Sequence, residues 1–504
     1  MYKRVVEILG VMTLLLVMNH CTESVSYQES EPDETVLVHI GEKSISVNEF
    51  IRRAEYTMRP DYCIRDNYVH KKIVLNSLIA EKLFAMEVGE ENELAENEEF
   101  QAFLKGRREQ AMRQWLQYVE TGQDPDVDSS EFRTVYSQAG RVYSVQYLNI
   151  PGEEYRETLA QRIRKNGELT EVYQELFGGA EIPTKEVSWQ EASVKSVHQA
   201  LYGQPVQRGD IVGPVKMQEG VVTFLKVEGW TERKVIDDQG IRDRRDLVSR
   251  RLEGYETAER FDEFVKDIMA GKQLDFQPET FYALVEIFAP VYLRDKAEKE
   301  AMANAVFWNA KQDKELFDSV RESIDKYLDH PLFRIEGEVW TVRDFEEAMK
   351  SHPLVFRTRQ LNQENFAEQF QLAIVDLVRD HYLTREAYRR GYDQVNIVRR
   401  DEAMWEDQME SLYHRNQYLT RAGFSGSFGN EYMDAIENYL NPYVDELQEK
   451  YAKEITINFD AFEKIELTSI DMFATLENVP YPIAVPSFPV LTTDHQLNYG
   501  RKVQ

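Results

Sequence analysis

Two stretches roughly 300 residues apart begin in the same way, and their common order constrains the fold more than any other feature of the chain. "VLVHIGEKSISVNEFIRRAEY" (Val36 to Tyr56) and "LFRIEGEVWTVRDFEEAM" (Leu332 to Met349) each pass from a β-prone apolar stretch through a glycine turn, at Gly41 and Gly337, into a second short apolar stretch. Each then reaches a helix start with a physical mark. In Ser46-Val-Asn-Glu49 and Thr341-Val-Arg-Asp344 a hydroxyl precedes a carboxylate at capping-box spacing. There the hydroxyl accepts from the third helical amide and the carboxylate accepts from the cap amide. Phe50 and Phe345 follow directly and fall on the buried side. Downstream, Leu78, Ile79, Leu83 and Phe84 of "NSLIAEKLFAMEV" match Leu377, Val378, Tyr382 and Leu383 of "VDLVRDHYLTREA", a helical stripe. "WLQYV" (Trp115 to Val119) then parallels "RNQYL" (Arg415 to Leu419). Hairpin, cap, long helix and aromatic-rich helix thus occur in order twice.

A chain of 504 residues exceeds one core and predicts about three or four domains. With 42% hydrophobic and 30% charged residues it reads as globular. The net charge of −29 opposes a phosphate backbone and no basic patch offsets it, so nucleic acid is not an expected partner. The start, "MYKRVVEILGVMTLLLVMNHC", has Lys3 and Arg4, an apolar run from Leu9 to Met18, and then Cys21. That run is too short to span a bilayer but suits a signal-peptide core. The polar stretch "TESVSYQESEPDET" follows at once as a tether. An apolar core ending at a cysteine before a polar tether resembles a bacterial lipoprotein signal, which implies acylation of Cys21. Cys63, the other cysteine, then has no partner, so no disulfide framework is expected and stability must come from core burial.

The flanks read as helix. Val235 to Lys272 is charged and helical, "FYALVEIFAPVYL" is an amphipathic helix interrupted at Pro290, and "RAGFSGSFGN" is a Gly/Ser-rich connector. The C-terminal "VPYPIAVPSFPVL" carries Pro480, Pro482, Pro486 and Pro489 and should be extended.

Between about residues 140 and 230 the pattern changes. "RVYSVQYLNI" alternates as a strand, "YRETLAQRIRKNGELTEVYQELFG" gives one or two helices, "PTKEVSW" a strand, "SVKSVHQALYG" a short helix, and "GDIVGPVKMQEGVVTFLKVEGW" two paired strands. Gly209 and the Gly213-Pro214 pair fit a turn leading into those strands. This β-α-α-β-α-β-β order resembles a parvulin-type prolyl isomerase. A capped helical module, such an insert and a returning long helix together resemble the SurA/PrsA-like periplasmic foldases. The match is good over roughly residues 36 to 275.

The resemblance implies a mainly α fold with an α+β parvulin-like insert and two related helical modules, each entered by a short β-hairpin. The organisation expected is a signal peptide over 1–21, a tether over 22–35, a helical module over 36–135, the parvulin-like domain over 136–235, a helical return and connector over 236–330, a second helical module over 331–425, and a C-terminal helix with a Pro-rich tail over 426–504. Catalysis of X-Pro rotation, with its barrier of about 20 kcal/mol, needs no nucleophile, metal or cofactor. It needs an apolar pocket and polar groups that favour the twisted amide. The two strand histidines of the parvulin family fall here at Tyr147 and Thr223, and the helix that lines the pocket offers Val194, Val197 and Leu201. His198, the only histidine of the insert, reads as an ordinary, partly exposed helix residue. A hydrogen bond between Tyr147 and Thr223 remains open on this reading.

No Walker lysine loop, HExxH or paired CxxC appears, and "GFSGS" lacks the last glycine of a hydrolase elbow. The resemblance implies a periplasmic lipoprotein held at the outer membrane that binds unfolded or nascent exported polypeptides, its isomerase site degraded. An active isomerase and a structural subunit of an envelope assembly complex are the alternatives. The 14 Met, 27 Tyr and 25 Phe suit adaptable apolar grooves as well as ordinary cores.

Overall fold

Both hairpin segments fold as antiparallel pairs that run straight into capped helices. The computed structural model describes residues 35–89, 92–122, 127–150, 156–166, 169–191, 195–217, 221–294, 321–358, 360–426, 428–467 and 485–498. Strands β1 (Val36–Ile40) and β2 (Lys43–Ser46) lead into α1 (Val47–Glu55), where the Ser46 hydroxyl accepts from the Glu49 amide at 3.0 Å. Helices α2 (Tyr68–Met86) and α3 (Glu98–Thr121) follow, capped by Asn67 and Asn97. After α4 (Ser129–Gln138) comes the insert: β3 (Arg141–Ile150), α5 (Arg156–Asn166), α6 (Leu169–Leu176), β4 (Thr184–Ser188), α7 (Lys195–Tyr202), β5 (Ile211–Lys216) and β6 (Val222–Glu232). The long α8 (Asp238–Met269) returns from it to β7 (Asp275–Phe276) and α9 (Pro278–Tyr292).

Strands β8 (Pro331–Ile335) and β9 (Glu338–Thr341) open the next group, with α10 (Val342–Ser351), α11 (Phe366–Arg389) and α12 (Asn396–Arg421). At Thr341 both halves of the capping box form, with Asp344. At Ser46 the Glu49 carboxylate lies instead 2.9 Å from the Lys82 ammonium. Helix α13 (Phe428–Ala435) passes through a π-turn at Ile436–Leu440 into α14 (Asn441–Lys450), followed by β10 (Ile455–Ile457) and α15 (Phe459–Lys464). Among the described residues the fold is mainly α with three small antiparallel sheets, ordered β10-β1-β2, β4-β3-β6-β5 and β7-β8-β9. Among the described residues no helix is long and apolar enough to cross a membrane.

Three local expectations change. Gly213-Pro214 lies inside β5, at a shift of register against β6, rather than in a turn before it. β5 is an edge strand, where proline's missing N–H is tolerated, and Gly213 takes φ +142. Helix α9 runs through Pro290 to Tyr292, with the proline in its last turn, where the missing N–H costs the helix its bond to the Glu286 carbonyl but does not end it. The connector at Arg421 to Asn430 is shorter than its composition suggests, since α13 begins at Phe428.

The C-terminal segment, set apart by its composition, is built into the first core. Strand β10 pairs with β1, matching Val38 with Ile457 and Ile40 with Ile455. Leu419, Ile436, Leu440, Val444, Phe462 and Leu491 pack with the hairpin and α2. Helix α2 is covered nearly all round, and Leu78, Ile79, Leu83 and Phe84 are fully buried. In α11 the matching Leu377, Val378 and Leu383 are buried, while Tyr382 stays half-buried and donates to Glu336 at 2.7 Å. Gly106 lets α10 approach α3, since a Cβ there would meet the Ser351 carbonyl oxygen at 2.1 Å. The Cys63 thiol is unpaired and buried, and burial pushes it up to about 12.

Buried charges cross this core. Arg53 holds Glu81 through two bonds of 2.7 and 2.8 Å and donates again to the Ser487 carbonyl at 2.8 Å. Lys82 lies 2.8 Å from Asp407 of α12, whose other oxygen binds Lys43 of β2. Burial pushes the Asp407 carboxyl up, but Lys82 and Lys43 outweigh it and hold it below its ordinary value. Removing one partner strands the others in a dry site. Asp407→Ala is expected to destabilise the protein by about 3–5 kcal/mol in urea denaturation. Arg343→Ala, which breaks the exposed Arg343–Asp329 pair, should leave the midpoint in place. Equal effects of the two substitutions would contradict this reading of the core.

Candidate functional site

The insert's central strands carry two opposed faces, because side chains alternate along a strand. Leu148, Ile150, Val222 and Phe224 face α5 and α6, where they pack with Ile163, Leu169 and Val172. Tyr143, Val145, Leu225 and Val227 face the other way, onto α7 and α8, with Leu201, Val248 and Leu252. Tyr147 belongs to this second face. It is opposite Leu225 in the ladder, while Asn149 is opposite Thr223.

The positions singled out from the sequence therefore share a face, and of the bonds open to Thr223 the one that forms goes to Asn149. The Thr223 hydroxyl is buried and donates to Asn149 Oδ1 at 2.7 Å. Its one proton is engaged by its direct cross-strand partner, with Tyr147 two residues along. Tyr147 is partly buried and packs its ring against the core of that face. Val197 and Leu201 lie in the same core, Leu201 with no exposure, beneath the sheet rather than on an open surface. Val194 and Cys21 lie outside the described residues.

His198 is not the partly exposed residue its helix suggested. It is fully buried, stacked on Trp189 at 4.8 Å between ring centres, with Tyr202 edge-on at 5.7 Å. Nε2 lies 3.3 Å from the Ser188 carbonyl and Nδ1 lies 2.8 Å from the Tyr255 hydroxyl. A carbonyl only accepts, so Nε2 carries the proton and Nδ1 accepts from Tyr255. Burial, reinforced by Arg251, lowers the imidazole to about 4. The signal was present in the sequence: Val197, His198, Leu201 and Tyr202 form one helical stripe, and all four are buried. Asn149 was missed because its role comes from the register of β3 on β6, which local pattern does not encode.

Such a site has little acid–base chemistry available. The hydroxyl of Thr223 meets an amide, the imidazole is neutral and enclosed, and Tyr147 packs against the apolar core of its face. Among the described residues no group of three or more His, Cys, Asp or Glu side chains is placed to hold a metal ion.

The state of His198 is measurable. A lowered value means that the fold keeps the histidine's full contribution above the unfolded value near 6.5 and loses it as the pH falls towards 4. NMR of the imidazole should show no titration between pH 5.5 and 8, a range set about one unit or more above the value given. A midpoint near 6.5 would contradict the enclosed, neutral ring.

No family model matches the chain, and neither a curated protein nor a solved structure matches it.

Proposed function

We propose that this protein is an exported, lipid-anchored chaperone of the SurA/PrsA-like kind that holds unfolded envelope polypeptides, with a parvulin-like module serving as a binding surface rather than as an enzyme. The observation that carries this reading is the β-α-α-β-α-β-β order of residues 141–232, closed into one antiparallel sheet and flanked by capped helices. On this reading the groups beginning at β1 and β8 are related helical modules, each a hairpin followed by a capped helix and two long helices. Each hairpin gains a third strand, β10 or β7, beside its first.

The polar positions favour holding over catalysis. A catalyst of X-Pro rotation must offer groups that stabilise the twisted amide more than the planar one. Thr223 is bound to Asn149 and His198 is enclosed by aromatic rings, so neither is poised for that task. Apolar side chains remain outside the cores for client contact, among them Leu176 and Phe177 at the end of α6, each 51% exposed. The net charge of −29 keeps a protein with such surfaces soluble.

The test uses one preparation in two assays, with Cys21→Ser to keep the chain free of lipid. At a stoichiometric ratio it should slow aggregation of an unfolded outer-membrane barrel. It should leave unchanged a proline-limited refolding reaction that takes tens of seconds unaided. Unslowed aggregation sinks the chaperone reading, and accelerated refolding restores the isomerase.

A further inference from the structure

One arginine of α12 stands in an apolar cleft without an acidic partner among the described residues. The cleft, about 490 Å³, lies between the turn after α1, the middle of α12 and the C-terminal stretch. Its walls are mainly Leu412, Phe428, Val485, Phe488, Val490 and Leu491. Its size falls within the usual range for small-molecule sites. Two charged side chains reach it, Glu81 and Arg415. Both oxygens of Glu81 are already held by Arg53. Arg415 has no carboxylate within ion-pair distance among the described residues. Nε and Nη2 reach only the neutral amide oxygen of Asn416, at 3.4 and 3.2 Å. Its guanidinium carbon sits 3.9 Å over the Phe428 ring.

The contrast with its surroundings is specific. Arg52 pairs with Asp401, Arg53 with Glu81 and Arg108 with Glu402 along the same helices. A chain with 89 acidic residues does not lack counter-ions. Burial without an opposing charge pulls the Arg415 guanidinium down to about 10. Such a group favours any anion that can enter and share its dry surroundings.

We propose that this cleft binds an apolar molecule bearing a single carboxylate, with the carboxylate on the Arg415 guanidinium and the apolar body along the wall from Val485 to Leu491. One cation balances one negative charge, whereas a dianion would leave an excess charge buried beside Glu81. The planar guanidinium fork matches a carboxylate with two parallel bonds. The aliphatic and phenyl walls supply the driving force for the rest of the ligand. The site is independent of the chaperone reading, since it uses no residue of the insert.

Calorimetric titration of the intact Cys21→Ser chain tests the proposal. Dodecanoate below its micellar concentration and a free-acid apolar tetrapeptide are the two carboxylate probes, and dodecyltrimethylammonium is the cationic control. At least one acid should bind with a single site, and the preferred one identifies the body that the cleft accepts. Arg415→Met should weaken that binding by about tenfold or more. Met58→Glu adds a negative charge at a cleft residue that is 70% exposed and should weaken it too, without disturbing the core. This second variant carries the test if Arg415→Met fails to fold. Binding of neither acid, unchanged affinity in the variants that fold, or equal binding of the cationic control would overturn the proposal.

Discussion

The buried pairing of Lys82 with Asp407 and of Arg53 with Glu81 decides how the first module meets α12 and the stretch around Ser487. Lys82 and Asp407 are 325 residues apart, and Arg53 reaches across a separation of 434 to the Ser487 carbonyl. Ion pairs in so dry a place add little net stability over apolar side chains of the same shape. They are strict about register, because a slip of α12 along α2 would leave a charge without its partner. Burial of Ile436, Leu440, Val444 and Leu491 supplies cohesion, and the charged groups fix where that burial happens. The π-turn after α13 and the short β10 then deliver the remaining chain to the open edge of β1.

Local features were legible in the sequence for a physical reason: their causes lie within a few residues. Ser46 and Thr341 cap the helices that their spacing indicated, and Phe50 and Phe345 are fully buried. The order of strands and helices between Arg141 and Glu232 is also the expected one. Long-range placement was not legible. The Pro-rich tail indicated an extended segment, and residues 485–498 carry no helix or strand, but nothing local showed that Phe488 and Leu491 would be buried against the first module. Nothing within a few residues of Lys43, Lys82 or Asp407 marks them as partners; the fold brings them together.

The insert shows the same division more sharply. Tyr147 and Thr223 were placed on the correct strands, yet only the register sets Asn149 opposite Thr223 and gives the hydroxyl an acceptor. His198 lies on a stripe whose other members are plainly apolar, and the aromatic side chains of Trp189, Tyr202 and Tyr255 make room for a neutral imidazole among them. A polar residue at a core position is inexpensive where both ring nitrogens find partners. The sheet face covered by α7 and α8 thus carries satisfied polar pairs, Thr223 with Asn149 and His198 with Ser188 and Tyr255.

Central to this account is that the C-terminal segment and the first module form one cooperative unit. Native-state hydrogen exchange tests that most directly, by comparing amides in α2 with those in α14 and β10 as urea is raised. The account predicts that both sets converge on one opening reaction, with the same free energy and the same urea dependence. Exchange of α14 and β10 through an earlier, separate opening while α2 stays protected would contradict it.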